Sequence, residues 1–141
     1  MTHPQAALAE LEEEFELLGG WEDQLAHVID LGRTLEPLSA VEHSDAFKVR
    51  GCASQVWLVT ERDGDRLRFR GDSDSPLVKG LIAVLVRLFS GARAADVLAF
   101  DVRDAFARLG LAGSLTAQRS NGLASMVARL RQDAAAVAQP A

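Results

Sequence analysis

Cysteine is nearly absent from this chain: Cys52 is the only one among 141 residues. A single thiol closes no internal disulfide, so no oxidised framework exists, which fits a reducing, cytoplasmic setting. Histidine is scarce as well. His3, His27 and His43 are scattered and, with one cysteine, give no zinc-ligand spacing, so no resident metal is expected. Neither a GxGxxG nor a P-loop pattern is present. Positive charge is in deficit, with 15 Lys and Arg against 20 Asp and Glu and a formal net charge of −5. General binders of nucleic acid or anionic membrane need a cationic surface, which argues against both and leaves room only for a local basic patch. No basic stretch leads into an apolar run after Met1, so no signal peptide is expected. The most apolar stretch, Leu77 to Phe89, carries Lys79 and Arg87 and falls short of the roughly 20 residues that a bilayer requires. Internal repeats and long linkers are also missing.

What is present suits a globular domain: 48% hydrophobic and 25% charged residues. Residues 5–18 read as an amphipathic helix with Leu8, Leu11, Phe15 and Leu18 on one face; its glutamates form a solvated face or a dock for a basic partner. Gly19-Gly20 stops it. A second helix runs from Trp21 to Gly32, with Trp21, Leu25, Val28, Ile29 and Gly32 sharing a face and His27 off that face, at the surface. Pro37 opens a loop over 37–45. Ala46 to Arg50 alternates as a half-buried strand does, Val56 to Val59 is an apolar strand, and Asp63-Gly64 signals a hairpin into Arg66 to Arg70. That last strand puts Leu67 and Phe69 inward and three arginines outward, as a solvated row or one that meets an acidic partner. The expected class is therefore α+β, with a small three-stranded antiparallel sheet and helices packed on it.

Ser75 and Pro76 read as the cap and first position of a helix to Phe89 that is apolar nearly all round, the buried centre of the fold. Gly80 marks a close approach. A short helix follows at about 94–98. Asp101 caps another that ends at Gly110, and Thr116 caps the last, whose alanine-rich tail frays from Ala134.

Cys52 stands between two strand-like segments beside Gly51, Ala53 and Ser54, small residues that leave room for another molecule. On position alone a core filler and a reactive thiol are equally good readings. The stretch Val49-Arg50-Gly51-Cys52-Ala53-Ser54-Gln55-Val56-Trp57-Leu58 resembles the V-x-G-C-x-S-x-V-W motif of the SufE/CsdE family of cysteine desulfuration proteins. Trp21 with Leu31-Gly32-Arg33-Thr34-Leu35, Asp72-Ser73-Asp74-Ser75 leading into Val78-Lys79-Gly80-Leu81, and Arg119 with Asn121-Gly122-Leu123 and Met126 resemble three further stretches of that family, in register from Trp21 to Arg131. The sequence departs from the family between His43 and Lys48 and at Gln24-Leu25, which bears on partner contacts.

The resemblance implies a single SufE-like domain over 1–141, with about four N-terminal and six C-terminal residues frayed, and a curved sheet like that of U-type iron–sulfur scaffold proteins. It also implies a function. Cys52 would accept sulfur as a persulfide from a pyridoxal-phosphate cysteine desulfurase of the SufS/CsdA type, stimulating it, and deliver that sulfur to a SufBCD-like iron–sulfur scaffold. The cofactor would reside on the desulfurase, not on this chain. Gly51, Ser54, Trp57, Asp74 and Arg119 would be supporting or partner-binding residues. Lys48, Arg50 and Arg119 are candidates for raising the thiolate fraction of Cys52. Two other readings compete: a cluster scaffold, disfavoured by one thiol, and a stand-alone cysteine enzyme, with His43 as the only sequence-near base.

Overall fold

The computed structural model describes residues 3–111 and 117–138, in which six helices pack around a two-stranded antiparallel sheet. Helix α1 (Pro4–Glu16) is capped by His3, whose Nδ1 accepts from the Gln5 N–H (3.1 Å), and Pro4 takes the first position, where no N–H is needed. Leu8, Leu11 and Phe15 are buried. Most of the glutamates face solvent, but Glu14 bonds both Arg87 and His27. His27 is thus no free surface group: it is half-buried, 3.1 Å from Glu14 Oε1, with its ring edge-on to Phe15.

Helix α2 (Trp21–Gly32) and helix α3 (Pro76–Phe89) form the tightest contact in the fold. A Cβ on Gly80 would run into the Val28 carbonyl, and one on Gly32 would lie 2.7 Å from the Gly80 nitrogen. The two backbones touch, as the reading of Gly80 anticipated. Packing is concentrated at the Val28–Gly32 end of α2, so Trp21, one full helix length away, does not join the apolar stripe and is 61% exposed. Helix α3 starts with Ser75 Oγ accepting from the Val78 N–H (3.4 Å) and buries Leu81, Ile82, Val84, Leu85, Leu88 and Phe89.

Strands β1 (Val56–Asp63) and β2 (Arg66–Ser73) are joined by Gly64-Asp65, with Gly64 at φ +63°, a conformation that suits a residue without a Cβ. Val56 lies opposite Ser73, Trp57 opposite Asp72 and Leu58 opposite Gly71. Directly opposed residues share a face. One face, with Leu58, Phe69 and Gly71, lies on α3; a Cβ at Gly71 would be 2.7 Å from Ile82 Cγ2. The other carries Trp57, Val59, Arg68, Arg70 and Asp72 beneath the segment 36–48.

The expected third strand, Ala46 to Arg50, does not form. Phe47 and Lys48 are coiled in turns, donating to Ser44 (3.1 Å) and Asp45 (3.3 Å). Only a one-residue bridge, Lys48 to Trp57, reaches β1 before Gly51 turns the chain away. Alternation alone does not tell a strand from a turn that presents side chains to both sides. The arginine row is paired within the chain: Arg68 stays exposed, while Arg66 and Arg70 are half-buried. Arg68 pairs with Glu36, Arg70 with Glu42 (3.0 Å) and Glu61 (2.8 Å), and Arg66 donates to the Gly91 carbonyl (2.8 Å). Arg70 holds the Glu42 carboxyl down to about 2.

Helices α4 (Ala94–Ala99), α5 (Val102–Arg108) and α6 (Ala117–Ala138) complete the chain. Asp101 caps α5 by accepting from the Asp104 N–H (3.1 Å), and Gly110 follows with φ +75°. The cap expected at Thr116 lies outside the described residues. The tail does not fray at Ala134: that residue is fully buried and α6 continues to Ala138. None of the described helices is long and apolar enough to cross a membrane.

Substituting Gly80→Ala adds a methyl against backbone that cannot yield. The overpacking cost of about 1–3 kcal/mol, or more against a rigid neighbour, outweighs the helix-propensity gain of about 1 kcal/mol. A net loss near 2 kcal/mol is expected, read as a lower urea midpoint with unchanged slope; an unchanged or raised midpoint would show that the contact is not tight.

Candidate functional site

Two sets of hydrogen bonds pin the ends of the loop that carries the single thiol. At the first stem, the Val49 N–H donates to the Val56 carbonyl (2.8 Å). At the second, Gln55 is gripped on both sides of its peptide. Its N–H donates to Asp74 Oδ1 (3.0 Å), and its carbonyl accepts from Ser73 Oγ (2.7 Å) and the Asp74 N–H (3.3 Å). Ser73, buried at 6% exposure, also accepts from the Ser75 N–H (3.2 Å). The residues that lead into α3 therefore anchor the cysteine loop as well. Asp74, carried as a motif residue, is placed as a backbone anchor.

Between the stems lie Arg50, Gly51, Cys52, Ala53 and Ser54. Gly51 has φ +89°, and a Cβ there would sit 2.6 Å from Ser125 Oγ on α6, so conformation and space both call for glycine. The turn lays Cys52 against α6. Its half-buried Sγ is 3.6 Å from the Gly122 carbonyl, to which the thiol donates. A Cβ built on buried Gly122 would be 3.7 Å from Sγ, ordinary contact, so the sulfur rests flat on the helix surface.

Burial pushes the Cys52 thiol up from its ordinary value. The bond to Gly122 acts in the same direction, because only the protonated form can donate. Lys48 and Arg50 line a cavity of about 490 Å³ with Asp45, Ser125, Arg129 and Gln132, and the lining does not include Cys52. Arg129 is shared with Asp133 (3.5 Å), which also accepts from Thr60 Oγ1 (2.6 Å). Arg119 is in the first turn of α6, three residues before Gly122, but its side chain lies outside the described residues. A larger cavity, about 800 Å³, runs between α4–α5 and α6 and includes Leu123.

Trp57 is half-buried on β1 with its ring edge-on to His43, centroids 4.9 Å apart. Ser54 is half-buried on the loop. The nitrogens of His43 are directed at the Ser39 carbonyl (2.9 Å) and Asp72 Oδ2 (2.7 Å), not at the thiol, so the base that a stand-alone cysteine enzyme would need is not delivered by this residue. Among the described residues no three His, Cys, Asp or Glu side chains gather as metal ligands do. Reading the sequence missed Ser73 as an anchor, Gly122 and Ser125 as the bed of the loop, and the His43–Asp72 pair. The first three stood inside or next to quoted motifs; the last spans 29 positions and left no local signal.

Residues 9–134 match the SufE family, described as an Fe–S metabolism associated domain. An uncharacterized SufE-like protein of Rhizobium etli is 43% identical over 133 residues, covering 92% of this chain and 90% of its own length. A second, from Rhizobium meliloti, is 42% identical over 132 residues, covering 91% and 94%. The solution structure of a hypothetical protein from Thermus thermophilus superposes with a TM-score of 0.76 over 97% of this chain and 98% of that one; at 21% identity it speaks for the fold alone. The extent of the family match and the identity to both relatives place the chain in the SufE family.

Proposed function

We propose that this chain is a single-domain sulfur carrier of iron–sulfur metabolism that accepts sulfur on Cys52 from a cysteine desulfurase and passes it to a cluster-assembly scaffold. The observation that carries this reading is the sole thiol of a SufE-family chain, mounted on a loop pinned at both stems and resting on Gly122. The Cys52 thiolate attacks the outer sulfur of a persulfide on the desulfurase. A new S–S bond forms at Cys52, the old S–S bond breaks, and the desulfurase cysteine leaves as thiolate. No electrons are gained or lost overall, and the chain supplies no cofactor; pyridoxal phosphate belongs to the desulfurase. A reducing cytosol suits a lone thiol that must cycle.

In the resting geometry the thiol is protonated and bonded to a carbonyl, and that carbonyl would face a thiolate unfavourably. Transfer therefore requires the loop to lift Sγ from α6, sheltering the sulfur between encounters and exposing it on docking. Gly51, Ser54 and Trp57 shape this loop, Asp74 anchors it, and Arg119 is the cation that would meet the partner.

Intact mass after incubation with an active desulfurase and free cysteine is expected to rise by one sulfur atom, reversibly with reductant, and not at all in Cys52→Ser. Failure to gain sulfur from any of a panel of active desulfurases would sink the assignment. Alkylation of the free protein by iodoacetamide is expected to follow a thiol that ionises above the free-cysteine value of about 8.5. A rate that levels off below that pH would mean that the resting thiol is already activated.

A further inference from the structure

Both ring nitrogens of His43 face acceptors. Nδ1 lies 2.9 Å from the Ser39 carbonyl oxygen and Nε2 2.7 Å from Asp72 Oδ2. The Ser39 carbonyl also accepts from the Glu42 N–H (3.1 Å) and the His43 N–H (3.2 Å), but a neutral imidazole donates from one nitrogen only and would set the lone pair of the other against an acceptor oxygen, so the geometry favours the imidazolium. Asp72 is suited to hold it, because its other oxygen accepts from the Ser73 N–H (2.8 Å) and faces the Lys79 ammonium of α3 (3.4 Å). On β1, the Trp57 ring meets His43 edge-on. Glu42, next in sequence, pairs with Arg70 of β2, which also holds Glu61 of β1, and its charge still favours the imidazolium. Asp72 and the Ser39 carbonyl raise the His43 pKa above its ordinary value, against a smaller opposing effect of burial.

His43 is placed where both stems of the cysteine loop begin. Trp57 follows Val56, whose carbonyl closes the first stem; its register partner Asp72 precedes Ser73 and Asp74, which close the second. The segment that carries His43 runs on through Phe47, which accepts from the Leu58 N–H (2.9 Å), into the loop itself.

We propose that His43 is a positioning residue for the Cys52 loop: as imidazolium it clasps residues 39–48 to the Trp57–Asp72 pair and keeps the loop closed on α6, and loss of its proton loosens the loop. The use of the clasp in sulfur transfer rests on the reading of Cys52 as acceptor; the clasp itself does not. The stabilisation is fully present below the ordinary histidine value of about 6.5 and is lost as pH rises through the higher folded value. It therefore opens in the same direction as the thiol ionises.

Hydrogen exchange of the full chain, measured across a pH series and corrected for the intrinsic exchange rate, tests this in wild type, His43→Gln and His43→Lys. Wild-type residues 44–56 are expected to lose protection several-fold between mildly acid and mildly alkaline pH. His43→Gln should show no step, and His43→Lys, a permanent cation, should keep its protection across the range. Protection that is flat with pH in wild type, a wild-type step in His43→Gln, or a wild-type step in His43→Lys would each overturn the proposal. Should a variant not fold, the ring resonances of wild-type His43 decide it: a midpoint above about 6.5 supports the clasp and one at or below it refutes the clasp. No desulfurase enters these measurements, so failure of sulfur uptake and failure of the clasp are separately visible.

Discussion

The backbone-to-backbone contact of α2 and α3 is the constraint on which the rest of the molecule depends. Helix α3 is apolar on almost every side, so it has to be covered on every side. Glycine at positions 32 and 80 lets α2 lie directly on it, and glycine at 71 lets the sheet do the same from another direction. With α3 held this closely, the residues that lead into it cannot wander, and those residues, Ser73 to Ser75, grip Gln55. The position of the Cys52 sulfur is thus tied, through Gln55, to the close packing of α3.

At rest the site favours a quiet thiol. Desolvation and the Gly122 carbonyl both stabilise S–H over S⁻. A protonated thiol is also the form that resists oxidation, since thiolates are the species that oxidise. Lys48 and Arg50 line a cavity whose walls do not include Cys52.

Much of this was legible in the sequence because the determinants are local. Ser75-Pro76 announced the start of α3, Asp101 the start of α5, and Asp63-Gly64 the hairpin; in each case one side chain and its nearest peptides decide the structure. The thiol was found because small residues around a lone cysteine match a family pattern. What escaped notice was set by partners distant in sequence. Ala46 to Arg50 alternates like a strand, yet turns bonded to Ser44 and Asp45 win over the sheet. The arginines of β2 find Glu36, Glu42 and Glu61, pairings that no periodicity encodes. Trp21 fits the apolar stripe of α2 by spacing, but the close packing on α3 lies at the Val28–Gly32 end of that helix.

The short bridges beside the hairpin have one more effect. A two-stranded ribbon has two edges, and an open edge invites a foreign strand. Here Phe47 and Val49 take up the outer hydrogen-bonding groups of Val56 and Leu58, while Gly91, Ala92 and the Ser90 hydroxyl take up those of Leu67 and Phe69. These stretches of backbone are already spent. A foreign strand therefore cannot extend the ribbon at these positions.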